Sequence, residues 1–364
     1  MTDSEYILRC VELAKNGQYY VAPNPMVGAV LVEKSDVRSQ MSDEKIFAEG
    51  WHHKYGEAHA EVECFRQAEK KMAGLTEAEK AAKYKTMTLY VSLEPCSHYG
   101  KTPPCADLIV SKGVKRVVVG CLDPNPQVAG RGVQKLLDAG IEVTVGVEQQ
   151  ACRDLNKRFL CLHEKHRPYV ILKWAQTADG FVDREREVRN QKSEIRNQKS
   201  EDSEPLVIST AVTKQLVHKM RAENMAIMVG TNTVLLDNPR LLNTHWEGRS
   251  PIRVTLDRHH VIPADARIFS GDAETIVYRD RTDWPFVLSD LAARNIHSIL
   301  VEGGPALLAH ILQTKLWDEI HIEVAPELRI GDGVPAPQIP LPTAYETADG
   351  HCLYTIYNNE LCEK

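Results

Sequence analysis

No stretch of this 364-residue sequence approaches the roughly 18 consecutive apolar residues that a membrane-spanning helix needs. The opening segment, Met1 to Gly17, carries acids early and lacks an apolar core of signal-peptide length. A soluble, cytoplasmic protein with no membrane partner is therefore expected. Basic charge is also short: 44 Lys and Arg stand against 50 Asp and Glu, a formal net charge of -6. A dedicated nucleic-acid binder usually shows a basic footprint, so this balance argues against nucleic acid as a partner. No G-x-G-x-x-G occurs, which excludes the glycine fingerprint of a Rossmann-type dinucleotide site. The cysteines number 9, at Cys10, Cys64, Cys96, Cys105, Cys121, Cys152, Cys161, Cys352 and Cys362. Their odd count and irregular spread do not form a disulfide framework; they read as reduced thiols with room for a metal site.

What is present suffices for two domains, at roughly 100–200 residues each. Hydrophobic residues at 43% and charged residues at 26% are ordinary for a globular chain. Apolar periodicity predicts helices at Tyr6–Ala14, His59–Met72, Pro104–Ser111 and Gly132–Ala139. Short apolar runs predict strands at Val27–Val32, Thr88–Leu93, Arg116–Gly120 and Ile141–Val147. Their alternation implies a layered α/β domain over residues 1–147. The polar stretch 148–168 reads as a linker. A second α/β series fills 169–364, with strands at Tyr169–Trp174, Ala226–Gly230, Ile252–Leu256, Thr275–Tyr278, Ser298–Glu302 and Glu319–Val324. Its helices are expected at Thr210–Glu223, Leu288–Asn295 and Pro305–Gln313. The hexapeptide Arg189–Glu194 recurs as Arg196–Glu201. With almost no apolar content it reads as a solvated insertion rather than a repeat architecture.

Three short pieces converge on one chemistry: His59-Ala60-Glu61, Pro95-Cys96, and Cys105 nine residues later. One imidazole and two thiolates leave the fourth tetrahedral position of a zinc ion open, the mark of a catalytic rather than a structural site. Zinc lowers the pKa of a bound water to about 7. Zinc deaminases pair H-x-E with P-C-x-x-C, the Glu serving as general acid and base. Here the second cysteine is nine residues on and not three, so the match is not literal. Each piece alone is weak, and a lone cysteine pair is more often buried packing. His98, between the cysteines, is the candidate that would close the site as a structural one. In combination the pieces point to a catalytic zinc on His59, Cys96 and Cys105, with Glu61 as the acid/base.

Asn24, just before a strand, both donates and accepts and so suits reading a ring edge, although a turn-forming Asn is the bland alternative. Lys101 and Thr102 lie between the cysteines, where a phosphate could be met. The Gly/Pro-rich run Asp123–Gly132 is either a loop closing over the site or an ordinary connection. The strings Asn24–Val30, His59–Glu61, Pro95–Cys105 and Asp123–Gly132 together resemble the deaminase half of the bifunctional riboflavin-biosynthesis deaminase/reductase family. The resemblance runs on through the second half of the chain. It implies a cytidine-deaminase-like three-layer domain followed by a dihydrofolate-reductase-like domain, and Asn24 and His52 as substrate contacts; Lys101, by its place in the intercysteine loop, is the third candidate contact.

In the second half, Val301-Glu302-Gly303-Gly304-Pro305 follows a predicted strand and opens a helix, where backbone amides can cradle a pyrophosphate. By itself this is a tight turn. The resemblance implies NADPH as cofactor, contacted by Ala175, Thr233, Asp237, Arg258, Gly304, Pro305, Ala306, Leu307, Leu308, Ala309 and His310. It implies substrate contacts at Arg221, Leu241 and Glu302, of which Arg221 is chemically apt for a phosphate. Asp237 is the best candidate to assist proton transfer. Two positions depart from the family. Thr244 stands where an Arg is usual, with His245 as a partial substitute beside it. The charged repeat and Pro205-Leu206-Val207 replace a stretch that usually offers a Ser and a Trp.

The expected function is thus a two-step enzyme. It deaminates 2,5-diamino-6-ribosylamino-4-pyrimidinone 5′-phosphate at the amine-bearing C2, then reduces the ribosyl group to ribityl with NADPH. Its partner is a small pyrimidine nucleotide, and a homo-oligomer, dimer or tetramer, is expected. One rival is a tRNA or polynucleotide deaminase using Lys83, Lys85, Lys101, Lys112, Lys115 and Arg116, though no aromatic series accompanies these. Another is a second half that serves only dimerisation or regulation.

Overall fold

The computed structural model describes residues 1–34, 44–99, 103–125, 128–186 and 204–358. The repeat at 189–201, Lys101 and Thr102 lie outside them. The chain divides into two compact units, Met1–Lys165 and His166–Lys364.

The first unit runs α1 (Asp3–Lys15), β1 (Gly28–Lys34), β2 (Glu44–Trp51), α2 (Ala60–Lys71), α3 (Glu77–Tyr84), β3 (Met87–Leu93), α4 (Cys105–Lys112), β4 (Arg116–Cys121), α5 (Arg131–Asp138), β5 (Glu142–Val145), α6 (Gln149–Leu155) and α7 (Lys157–Lys165). Its sheet has the order β2-β1-β3-β4-β5. The β1 pairings are antiparallel, and those of β3 with β4 and β4 with β5 are parallel. Successive strand side chains point to opposite faces, and both faces are covered. Ala29, Leu31, Leu89, Val91, Val117 and Val119 share a core with Ala60, Cys64, Phe65 and Ala68 of α2. Val30, Val32, Tyr90 and Val118 share the other core with Tyr6, Ile7 and Cys10 of α1 and Cys152 of α6. That double burial explains why the central strands read as continuous apolar runs.

Two elements of this unit escape the periodicity. The β2 strand is an edge strand rich in polar residues. The α3 helix is mostly polar, yet Thr76 and Glu79 form a capping box, a signal present in the sequence. The stretch 148–168, read as a linker, instead contains α6 and α7, and the division between units falls after Lys165. In these helices Asp154, Glu164 and Lys165 are exposed while Cys152, Leu160, Cys161 and Leu162 are buried.

The second unit runs β6 (Tyr169–Thr177), β7 (Phe181–Asp183), α8 (Ala211–Glu223), β8 (Ala226–Val229), α9 (Thr231–Asp237), β9 (Ile252–Leu256), β10 (Thr275–Tyr278), α10 (Trp284–Ala293), β11 (Ser298–Val301), α11 (Pro305–Thr314), β12 (Glu319–Ala325), β13 (Val334–Pro335), β14 (Glu346–Ala348) and β15 (His351–Tyr357). The main sheet has the order β10-β9-β8-β11-β6-β12-β15-β14. It is parallel from β10 through β12, and the last two strands join antiparallel. One face packs Val170, Leu172, Met228 and Val301 against Trp284, Val287 and Leu291 of α10 and Leu308 and Ile311 of α11. The other packs Ile227 and Val229 with Val234 and Leu241. In α10 the helix starts four residues before the apolar periodicity suggests, because Asp283 caps it and Pro285 fits its first turn. The strands β6, β8 and β11 end side by side, and α9 and α11 begin just beyond β8 and β11. The crevice at the carboxyl ends of parallel strands is where open α/β sheets bind ligands.

Candidate active sites

In the first unit three elements deliver the predicted ligands to one point. His59 is the N-cap of α2, Cys105 is the first residue of α4, and Cys96 lies in the loop after β3. The Nδ1 atom of His59 is 3.3 Å from Cys105 Sγ and 3.7 Å from Cys96 Sγ. Zinc bonds of about 2.0 Å to nitrogen and 2.3 Å to sulfur at tetrahedral angles give N–S edges of roughly 3.5 Å. The observed separations bracket that value, so these residues fit a zinc ion. Among the described residues, His59, Cys96 and Cys105 form a metal-competent group whose ligand atoms all lie within 4.8 Å of one another. His98 is exposed and stands outside the group, so the fourth position is not closed by it. The Cys105 backbone N–H donates to Cys96 Sγ at 3.2 Å. The Cys105 thiol foremost, then His59 and this backbone bond, draw Cys96 down to a pKa of about 4 against its burial, favouring the thiolate that a metal requires.

Glu61 follows on the first turn of α2 and is buried. Burial, and then the charge on Cys96, push its carboxyl pKa up. That is the direction suited to a group that takes up and returns a proton. His52 is buried beside the cluster, its ring centroid 5.5 Å from that of His59. Its Nδ1 meets the Ala58 carbonyl at 2.9 Å, so Nδ1 carries the proton. Burial lowers the His52 pKa, keeping the ring neutral with a lone pair on Nε2. Asn24 Nδ2 donates to that lone pair at 3.1 Å. The two predicted contacts therefore lock each other, with the Asn24 oxygen left as the acceptor for a ligand.

One site residue went unread in the sequence. Glu94, directly before Pro95-Cys96, is buried and accepts from four backbone amides, those of Asp123, Gly130, Gly132 and Val133. Two of these open α5, so the carboxylate also meets the positive end of that helix. The Gly/Pro-rich loop is thereby tied to the cysteine loop. Asp123, at its start, is buried and pushed up to a pKa of about 6, mainly by burial. Three of the basic residues of the polynucleotide alternative are paired: Lys83 with Glu33 at 2.6 Å, Lys112 with Glu69 at 2.5 Å and Arg116 with Asp3 at 2.7 Å.

In the second unit a cavity of about 990 Å³ opens at the carboxyl ends of the strands. Of the expected cofactor contacts, Ala175, Thr233, Asp237, Gly304, Pro305, Ala306, Leu307, Leu308 and His310 line it. Gly304 is the N-cap of α11 and Pro305 its first residue, so the free amides of the first turn face the cavity. Gly303 has φ of 134°, which glycine adopts freely, and a Cβ on Gly304 would lie 3.1 Å from Thr233 Oγ1. Bare backbone at a helix N-terminus in a cavity of this size fits a dinucleotide pyrophosphate. Arg258 and Ala309 do not line it. Arg258 is exposed in the turn after β9, and Ala309 lies in the second turn of α11.

The predicted substrate contacts are tied together. Arg221 grips Glu302 through Nε at 2.9 Å and a terminal nitrogen at 2.6 Å, and donates to the Leu242 carbonyl at 3.1 Å. Glu302 lines the cavity; Arg221 and Leu241 are not among its lining residues. Asp237 receives Arg186, 2.6 Å away, which also binds Asp183. Lys173, on β6, was missed. Its alternation with buried neighbours disguises it as a strand residue, yet it lines the cavity, and its ammonium lies 3.7 Å from buried Glu323. Burial lowers its pKa, against the pull of Glu323 and Glu302.

Comparison with known proteins covers both units. Residues 1–121 match the cytidine and deoxycytidylate deaminase zinc-binding region, and residues 168–341 match the RibD C-terminal domain. The chain is 35% identical over 354 residues to riboflavin biosynthesis protein RibD of Aquifex aeolicus, covering 91% of this chain and 89% of that one. It is 33% identical over 363 residues to RibD of Escherichia coli, covering 90% and 89%. A solved Thermotoga maritima structure, described as a diaminohydroxyphosphoribosylaminopyrimidine deaminase/5-amino-6-(5-phosphoribosylamino)uracil reductase, superposes with a TM-score of 0.77 at 33% identity and 98% coverage of both chains. Acinetobacter baumannii RibD gives a TM-score of 0.81 at 31% identity, again covering 98% of each.

Proposed function

This chain belongs to the RibD family of bifunctional riboflavin-biosynthesis deaminase/reductases, and on that premise we propose which of its residues carry each half-reaction. The first unit has the cytidine-deaminase-like fold and the second the dihydrofolate-reductase-like fold. The enzyme is a zinc-dependent deaminase and an NADPH-dependent reductase.

The observation that carries the deaminase assignment is the meeting of His59, Cys96 and Cys105 beside buried Glu61. These three residues would hold zinc, which when bound supplies the Lewis acidity that makes water a nucleophile at neutral pH. We assign the substrate named for the Thermotoga relative, a diaminopyrimidine bearing a phosphoribosylamino group. Glu61 takes the water proton on its carboxylate and returns it to the departing amine at C2, which leaves as ammonia. The Asn24 oxygen, oriented by His52, accepts a hydrogen bond from the ring edge. Lys101 is assigned to the phosphate on its charge and its sequence position between the two cysteines.

In the second unit the α11 N-terminus, Thr233 and Ala175 would hold NADPH, whose chemistry there is to supply a hydride. Reduction of the ribosyl C1 also consumes one proton. Lys173, its ammonium made more acidic by burial, lines the cavity and is assigned to provide it, with Asp237, another lining residue, assisting. The Glu302–Arg221 pair orients the sugar. We also propose a cytoplasmic location, which the free cysteines of the described residues fit. A dimer or tetramer is the assembly expected from the family resemblance.

A direct test follows NADPH absorbance while the purified chain receives either the amino-bearing substrate or its deaminated product. Both should consume NADPH, and the zinc-free enzyme should consume it with the deaminated compound alone. Reduction of the amino-bearing compound by zinc-free enzyme would contradict the assigned order.

A further inference from the structure

On one face of the second unit's main sheet, three adjacent strands set Lys173 of β6, Glu323 of β12 and His351 of β15 in a row. Lys173 stands opposite His321, two residues before Glu323, and Glu323 stands opposite Leu353, two residues after His351. Offsets of two keep side chains on one face, and diagonal neighbours there are within reach of long side chains. The Glu323 carboxylate at the centre is buried, with its residue 3% exposed. His351 Nδ1 donates to Oε1 at 2.8 Å, and Ser209 Oγ donates to Oε2 at 2.6 Å. Oε2 also faces the Lys173 ammonium at 3.7 Å. Burial opposes the charge on Glu323, but Lys173 foremost, then Ser209, Thr213 and His351, hold its pKa below the ordinary value.

This network has one open end. Lys173 and Ser209 line the reductase cavity, and Glu323 and His351 are not among its lining residues. Lysine carries its charge on a flexible four-carbon stem. A carboxylate fixed through both oxygens gives that stem one place to lie. A buried ion pair is a weak source of stability, because desolvation offsets much of the attraction. The other charged groups that act on Lys173 are Glu302, directly after β11, and Arg221 of α8, and these two are paired with each other at 2.6 Å. His321, opposite Lys173 in the register, is bound to Glu319 at 2.6 Å. Among the described residues, Glu323 is thus the carboxylate within ion-pair distance of Lys173.

We propose that Glu323, held by Ser209 and His351, is a positioning residue for the reduction: it fixes the Lys173 ammonium at the cavity wall and keeps it charged. This rests on the assignment of Lys173 as the proton donor. As C1 of the ribosyl group accepts the hydride, its bond to the ring oxygen breaks. That oxygen takes a proton from Lys173 Nζ, and the neutral amine regains a proton from water. A lysine that has already lost its proton cannot complete this step, so the carboxylate behind it matters most at the basic end of the pH range.

The test uses the full-length, zinc-loaded enzyme and the deaminated phosphoribosyl substrate. In Glu323→Gln the ammonium loses its opposite charge, so Lys173 should deprotonate at a lower pH. The basic limb of the kcat–pH profile should move down by roughly one pH unit, and kcat above it should fall about tenfold. Acetylation of Lys173 in the enzyme without nucleotide, followed against pH by peptide mass, should show the same downward move. Glu323→Asp keeps the charge and should bring both back toward wild type. Ser209→Ala removes one support and should move both less, in the same direction; it guards against misfolding of Glu323→Gln. A profile and a labelling curve that stay in place in Glu323→Gln and Ser209→Ala, while Lys173→Met has lost reduction, overturn the positioning role and leave Lys173 as the donor. Near-normal reduction by Lys173→Met overturns the donor assignment and this role with it.

Discussion

The Gly132 backbone N–H donates to Glu94 Oε1 at 2.9 Å, and a Cβ on Gly132 would lie 2.1 Å from the Pro95 carbonyl oxygen. The α5 N-terminus thus closes onto the residue before Cys96, with a carboxylate as the fastener. Glu94→Gln replaces one accepting oxygen by an NH₂ that faces two N–H donors. The loop from Asp123 should loosen, so KM for deamination should rise while zinc content and reductase kcat hold. Zinc analysis with separate assays of the two activities checks this. Unchanged deaminase kinetics would show that the four amides do not position the loop.

Removing the proton carrier without removing the metal separates binding from chemistry. Glu61→Gln should retain about one zinc per chain, yet lose deamination by roughly 10²–10⁴-fold. Cys96→Ser should instead lose the metal. X-ray absorption should report one nitrogen and two sulfurs among the protein ligands. Near-normal turnover in Glu61→Gln would mean that another group moves the proton, and His52 would be the first to examine.

The sequence carried most of this site because zinc chemistry fixes residue types. His59, Cys96 and Cys105, which the structure gathers into a metal-competent group, and the neighbouring Glu61 sit in short strings of the residue types such chemistry demands. Lys173 and Glu94 were not legible. Each lies at the end of, or within, a buried strand, where its role depends on partners distant in the chain: Glu323 for one and Gly132 for the other. Central strands and amphipathic helices were readable from apolar periodicity. Edge strand β2, polar α3 and the helices of 148–168 were not, because most of their residues face outward and leave little apolar pattern. Arg258 and Ala309, taken from family position, are not among the residues that line the cavity.

The two half-reactions should be separable. Asp237→Asn removes the charge that faces Arg186 in the reductase cavity and should cause the deaminated, unreduced nucleotide to accumulate. Glu61→Gln should still reduce substrate that has been deaminated beforehand. Chromatography of timed reactions distinguishes the two. Loss of both activities in either variant would contradict independent sites.

Glu69 offers a pH test of stability. Its carboxyl is lowered from 4.5 to about 2, chiefly by Lys112, then by Lys80 and Tyr84. A depressed folded-state pKa contributes stability that is present above about pH 4.5 and is lost as the pH falls toward 2. The group is partly exposed, so the contribution should stay below about 1 kcal/mol. Glu69→Gln should therefore be slightly less stable than wild type at pH 7, and the gap should close between pH 4.5 and 2. Denaturant unfolding across that range measures it; a constant gap would assign the difference to packing.

The most direct measurement of the central claim is the mass of the products formed from the diaminopyrimidine phosphoribosyl nucleotide by the zinc-loaded enzyme, with and without NADPH. Without NADPH, the account predicts one product in which an NH has been exchanged for O. With NADPH, that product should gain two further hydrogens at the sugar. A product reduced but still carrying its C2 amine, or no loss of ammonia in either case, would contradict it.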